Sequence, residues 1–139
     1  MGTFTIGQAA KESGTTPRAV RLYESRGLVA SAERTTSGYR VFTDDDVEAL
    51  TFIRRARSLG LSLDAIAEIM EISQRGIPCC DRTRALLADR LTEIDAAITD
   101  LELLRQTVVA AQELEVDQTT GARCAVIEQA PRSDGSFRP

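Results

Sequence analysis

Apolar residues recur at helical spacing through most of the chain, broken by short Gly-, Ser- and Thr-rich punctuation. Thr5 with Gln8 three residues on forms a capping box, and Ile6, Ala9 and Ala10 give the helix behind it an apolar face. Gly14 suits the left-handed position that ends a helix. Thr16 then caps a second helix with Pro17 at its first position, where the missing N–H costs nothing. Val20, Leu22 and Tyr23 turn inward or partly so, and Gly27 ends this helix. Two short helices at a Gly-containing turn predict a helix-turn-helix, a pattern that any short helical hairpin shares. Ser37-Gly38 is a turn signal beside the strand formers Tyr39, Val41 and Phe42, which predicts a short hairpin or wing. Thr43 with Asp46 opens a helix over about Asp44 to Ser58, with Val47, Leu50, Phe52 and Ile53 as its core face. Gly60 closes it. Ser62 caps a further helix, Leu63 to Ile72, with Ile66, Ile69 and Met70 inward.

The longest pattern runs from Asp81 to about Glu113 without proline or glycine. Leu87, Leu91, Ile94, Ile98, Leu101 and Val108 follow a 4-3-4-3 spacing with one break, at Arg105. That is an a/d seam, which has to be buried against another helix. Leu86, Leu104 and Ala111 broaden it. No second long helix exists in this chain to cover it. The expected partner is the same helix in a second copy, giving a homodimer; the alternative is a helix packed on its own small domain.

Composition agrees with a helical protein. Hydrophobic residues make up 42% and aromatics only 4%, so the core is built mostly from Leu, Ile, Val and Ala. The 139 residues suit a small domain plus a helical extension. The expected division is a DNA-binding domain over 1–75, a linker and dimerisation helix over 76–113, an effector loop over 114–130 and a disordered tail over 131–139. The apolar runs are too short to span a bilayer, and no secretory signal is legible at the N-terminus. The expectation is a cytoplasmic protein with no membrane partner, whose three cysteines serve as thiols or metal ligands rather than disulfides.

Net charge is −4, but it is unevenly spread. Residues 1–58 hold nine Lys/Arg and seven Asp/Glu; residues 59–139 hold eight and fourteen. A locally basic N-terminal part can bind DNA on an acidic protein, because only the contact face has to be positive. Arg18 and Arg21 stand three apart on the second helix and share a face, as a helix in a major groove requires. A solvated basic face is the plain alternative. On the wing, Arg34, Tyr39 and Arg40 offer donors to phosphates, which set register rather than read bases.

Cys79 and Cys80 precede the long helix, and Cys124 lies beyond it. As a straight helix, residues 81–113 span ~50 Å. The chain from Glu113 to Cys124 reaches at most ~37 Å. Cys124 therefore cannot return to Cys80 of its own chain, whereas in an antiparallel dimer Cys79 and Cys80 can meet the partner's Cys124, giving two equivalent sites.

With these residues in view, the chain resembles the MerR family of transcription regulators. The resemblance rests on Thr5-Ile-Gly-Gln-Ala-Ala, Arg21-Leu-Tyr-Glu-Ser-Arg-Gly-Leu, Ser37-Gly-Tyr-Arg-Val-Phe, Ile53-Arg-Arg-Ala-Arg-Ser-Leu-Gly-Leu-Ser-Leu and the long helix, covering about residues 3–126. It implies a mainly α, winged helix-turn-helix dimer joined by an antiparallel coiled coil. It implies double-stranded promoter DNA and RNA polymerase as partners, with an effector that distorts an over-long promoter spacer. It places groove or base contacts on Arg18 and Arg21 and phosphate contacts on Tyr23, Tyr39 and Arg40. The short C-terminal part is similar to that of the metal- and redox-sensing branch. Cys80 matches the helix-start cysteine of the mercury, zinc, lead and cadmium sensors, where copper-type sensors have serine, and so implies a divalent ion. Cys124 matches the last loop cysteine. The middle loop cysteine falls near Glu115, and Cys79 is an additional thiol that can replace it. A four-cysteine loop for an iron–sulfur cluster is not matched.

Three thiolates and no histidine select soft ions. Hg(II) is favoured, with Pb(II), Cd(II) or Zn(II) as alternatives. Zn(II) would need a fourth ligand from Glu115, Asp117, Asp81 or water. A thiol-based redox or electrophile sensor on the same scaffold is the second reading, with Cys80 activated at a helix N-terminus. The sequence has neither a Gly-rich phosphate loop nor a nucleophile–base pair at recognisable spacing, so an enzyme is not expected.

Overall fold

The computed structural model describes residues 2–30, 33–116 and 123–132. The elements run β1 (Thr3–Phe4), α1 (Ile6–Ser13), α2 (Pro17–Ser25), β2 (Glu33–Arg34), β3 (Arg40–Thr43), α3 (Asp44–Ser58), α4 (Leu63–Gln74), α5 (Cys80–Gln112) and α6 (Ala125–Gln129). It is a mainly α fold, a winged helix-turn-helix followed by a long helix suited to a coiled coil. Two compact units meet within α5: residues 1–90 and residues 91–139.

The helix starts follow from local chemistry. At α1, the Thr5 hydroxyl accepts from the Gln8 N–H, and the Gln8 side chain accepts from the Thr5 N–H. Thr43 and Asp46 make the same reciprocal pair at α3. Asp44, Asp45 and Asp46 sit at the positive end of that helix, where carboxylates are favoured. Thr16 and Ser62 accept from Ala19 and Ala65 to open α2 and α4.

The core of the first unit is where these faces meet. Val20 of α2, Phe42 of β3, Leu50 and Ile53 of α3, and Ile66 and Ile69 of α4 are essentially sealed from water. Each contributes about 1.5–3 kcal/mol of hydrophobic stabilisation. Ser13 is the one buried polar residue among those described, and its hydroxyl is satisfied by the Ala9 carbonyl at 2.7 Å and by Thr15 Oγ1 at 2.9 Å.

Several expectations are corrected here. Leu22 and Phe52 are 48% and 42% exposed instead of inward, because Val20 and Tyr23, and Leu50 and Ile53, already fill their helices' core faces. Helix α4 continues two residues past Ile72. Thr3–Phe4 forms a strand that the pattern did not suggest, pairing antiparallel with β3 so that β3 is central in the order β1-β3-β2. The run after Cys124 is a short helix, α6. Leu87 belongs with Leu86 and Cys79 among the residues packed on the core of its own first unit, and so differs from the rest of the seam. Leu91, Ile98, Leu101 and Val108 stay half or more exposed, and Ile94 is 38% exposed. No residue of α5 is fully buried. Within the expected effector loop and tail, residues 117–122, including Asp117, and residues 133–139 lie outside the described residues.

Gly60, between α3 and α4, has φ +79°, a conformation that favours glycine. Arg90 of α5 crosses it so closely that a Cβ there would meet Arg90 Nε at 2.6 Å. The first turns of α5 are thereby tied to the DNA-binding body.

Candidate nucleic-acid interface and effector thiols

Helix α2 is fixed at both ends. Gly14 (φ +72°) makes the turn from α1, with the Thr15 N–H donating to the Ala10 carbonyl, and Thr16 caps the start. One face of α2 sends Val20 and Tyr23 into the core; Arg18 and Arg21 stand on the exposed side. Tyr23 is only 8% exposed, so packing is its first role and little more than its edge is available to a phosphate.

The wing is a tight two-stranded ribbon. The Thr35 N–H donates to the Tyr39 carbonyl, and the Gly38 N–H to the Thr35 carbonyl, both at 2.8 Å. Gly38 takes φ +85° at the tip. Tyr39 is thrown 72% into solvent. Arg34 and Arg40 are direct partners across the β2–β3 ladder, where like charges repel. An open hollow gathers Arg21 of α2 with Arg34, Tyr39 and Arg40 of the wing; Thr5, Ile6 and Gly38 complete its lining. Four of the six DNA-contacting residues expected from sequence thus share one surface. Arg18 lies one turn earlier on α2, and Tyr23 lies beneath.

Sequence reasoning missed Glu24. Its Oε1 accepts from Arg40 Nη1 at 2.8 Å, linking the last turn of α2 to the first residue of β3. The legible signal was an acid three residues from Arg21, on the same face of a basic helix.

The three thiols are all free. Cys79 is half-buried against the core, and its carbonyl accepts from the Thr83 N–H at 2.9 Å, so it takes part in the first turn of α5. Cys80, the first residue of α5, is exposed. Cys124 is exposed at the N-cap of α6, its carbonyl accepting from the Glu128 N–H at 3.0 Å. Glu115 is exposed just beyond α5. Among the described residues of one chain, no three Cys, His, Asp or Glu side chains converge as a metal site. The donor set, three free thiols with no histidine in the chain, suits a soft ion.

A helix-turn-helix flanked by an arginine-bearing wing defines a winged helix-turn-helix DNA-binding protein. Residues 4–72 match the model of the MerR HTH family regulatory proteins, and residues 47–111 match that of MerR, DNA binding. An HTH-type transcriptional regulator of Pseudomonas aeruginosa, PA4778, is 41% identical over 105 residues, covering 76% of this chain and 80% of its own. Heavy metal-dependent transcription regulator 2 of Rhizobium meliloti is 34% identical over 105 residues, covering 76% and 71%. The crystal structure of the dual function regulator MerR from Bacillus megaterium, in complex with mercury(II), is 26% identical, covers 90% of this chain and 97% of its own, and superposes with a TM-score of 0.63. The chain belongs to the MerR family of transcription regulators.

Proposed function

We propose that this regulator binds double-stranded promoter DNA as a homodimer and responds to a soft divalent metal ion through Cys79, Cys80 and the partner's Cys124. The observation that carries the reading is the placement of the thiols. Two stand at the start of a 33-residue helix and one after it, while Leu91, Ile94, Ile98, Leu101 and Val108 leave that helix with an exposed apolar seam. An antiparallel pairing of α5 covers the seam and brings opposite helix ends together. The mercury(II) complex of the Bacillus megaterium relative and the name of the Rhizobium meliloti regulator favour a heavy-metal effector.

Cys80 and the partner's Cys124 are the principal ligands in this reading. Cys79 is a third thiolate and Glu115 an oxygen donor for ions that take four ligands. The ion supplies a crosslink between subunits when bound. Hg(II) suits three sulfurs best; Pb(II), Cd(II) and Zn(II) are the competitors. Arg18 and Arg21 enter the groove, Arg34, Tyr39 and Arg40 hold phosphates, and the exposed edge of Tyr23 adds a donor. The regulator then acts in the cytoplasm on RNA polymerase at the promoter. No described helix is long and apolar enough to cross a membrane.

The test is titration of the reduced dimer with each ion, following thiolate-to-metal absorption. Saturation at two ions per dimer, lost in Cys80→Ser and Cys124→Ser, is expected. The exposed Cys80 also favours a second reading, an electrophile sensor. If alkylation of Cys80 changes transcription in vitro while no ion does, that reading replaces the first.

A further inference from the structure

A carboxylate beside a phosphate-binding surface ought to weaken binding, yet Glu24 stands at the rim of the basic hollow. Its side chain is only 12% exposed. One oxygen, Oε1, takes the Arg40 guanidinium at 2.8 Å. The other, Oε2, is buried and has no hydrogen-bond partner among the described residues. Burying a carboxylate with half its acceptors unused is costly, and a position on a short exposed helix does not require it. Its one partner is a side chain 38% exposed on the neighbouring wing.

Arg40 needs such a partner. It faces Arg34 directly across the β2–β3 ladder, and Arg21 lines the same hollow. Unrestrained, three guanidinium groups would spread apart into solvent. A guanidinium carries five N–H donors in a rigid planar fork. Arg40 uses one nitrogen on Glu24, which fixes the plane of the group and leaves its other donors facing outward. The pair also spans from the last turn of α2 to the first residue of β3, the two elements that have to meet DNA together.

We infer that Glu24 is a positioning residue for DNA binding: by holding Arg40 from α2 it presents the wing guanidinium to a phosphate in register with the groove-binding helix. The inference rests on the proposed role of the wing in holding phosphates. It opposes the simple electrostatic expectation, in which removal of a DNA-facing negative charge tightens binding.

The sign of the effect therefore tests it. The full-length dimer is measured against a duplex selected from a random-sequence pool with the wild-type protein. Glu24→Gln keeps the shape and removes the charge. It is expected to weaken binding about tenfold, the effect of one lost charge-assisted contact. The slope of log K against log salt is expected to fall by about 0.9 per protomer, one phosphate contact's worth. A collapsed wing would also take Arg34 and Tyr39 away and lower the slope by more, which counts against the inference. Equal or tighter binding, or an unchanged slope, overturns it. In an Arg40→Ala background, Glu24→Gln is expected to cause no further loss, and an additive loss overturns the inference. That comparison also decides the matter if the Glu24→Gln single variant fails to fold. If Arg40→Ala alone leaves binding unchanged, the wing reading falls, and this inference with it; if only Glu24→Gln is silent, the wing reading stands and this inference alone falls.

Discussion

Glu68 of α4 grips Arg82 of α5 with both carboxylate oxygens: Arg82 Nε donates to Oε1 at 2.6 Å and Nη2 to Oε2 at 3.2 Å. Arg82 lies two residues beyond Cys80, so this fork ties the start of the long helix to the DNA-binding body. The hydrogen bond from Arg82, reinforced by its charge and opposed by partial desolvation, holds the Glu68 carboxyl below its ordinary value. A carboxylate whose pKa is lowered on folding stabilises the fold above its unfolded pKa and loses that contribution as pH falls through the folded one. The melting temperature of wild type should exceed that of Glu68→Gln at neutral pH, with the gap closing on acidification below the usual carboxylate range. A gap independent of pH would remove the ion pair as its cause.

The exposed seam predicts assembly. Ile94→Asp with Ile98→Asp places charges where two helices should meet, and sedimentation equilibrium should show monomers that no longer bind operator DNA tightly. A monomeric wild type would end the dimer reading.

On DNA, α2 and the wing should behave differently. Arg18→Ala and Arg21→Ala should each cost ~1–3 kcal/mol of discrimination where a base edge is lost. Tyr39→Phe and Arg40→Ala should lower affinity evenly across sequences. Competition binding with specific and random duplexes separates the two patterns.

For the thiols, Cys80→Ser and Cys124→Ser chains should each fail as homodimers to bind the ion. Mixed, they should complement, because one site of the heterodimer regains a full set of thiols. Expected occupancy is one ion per mixed dimer against two in wild type, read by metal analysis after gel filtration. Absence of rescue would place the site within one subunit or elsewhere.

Gly60→Ala should destabilise for two reasons, the backbone at φ +79° and the crowding against Arg90. The backbone part is ~1 kcal/mol. In an Arg90→Ala background, only that part should remain, and chemical denaturation of the four chains measures the difference.

Much of the fold was written in short-range chemistry. Thr5, Thr16, Thr43 and Ser62 each cap the helix they were expected to cap, because a cap depends on a side chain and an N–H only two or three residues away. The wing turn at Ser37-Gly38 was legible for the same reason. The features that escaped depend on distant partners. Thr3–Phe4 is a strand only because Phe42 and Thr43 lie alongside, across some forty residues of chain. Leu87 fits the heptad spacing yet packs on its own core, since periodicity gives a face and not its cover. Glu24 was hidden likewise: its significance lies in Arg40, which belongs to another element. The cysteine positions were plain, but their convergence needs a second chain, which neither sequence spacing nor a single subunit can supply.

The boundary between the two compact units has a practical meaning for anyone building hybrids. It falls after Arg90, well inside α5, and the turns before it carry Arg82, Leu86, Leu87 and Arg90 against the N-terminal body. A chimera spliced at the apparent linker near Gly76 would graft foreign side chains onto that surface and leave Glu68 and Gly60 facing strangers. Joined beyond Arg90, the donor would keep its own underside intact, and only the seam and the C-terminal segment would be exchanged. The natural unit of exchange among such regulators is thus a DNA reader with three turns of someone's coiled coil already attached.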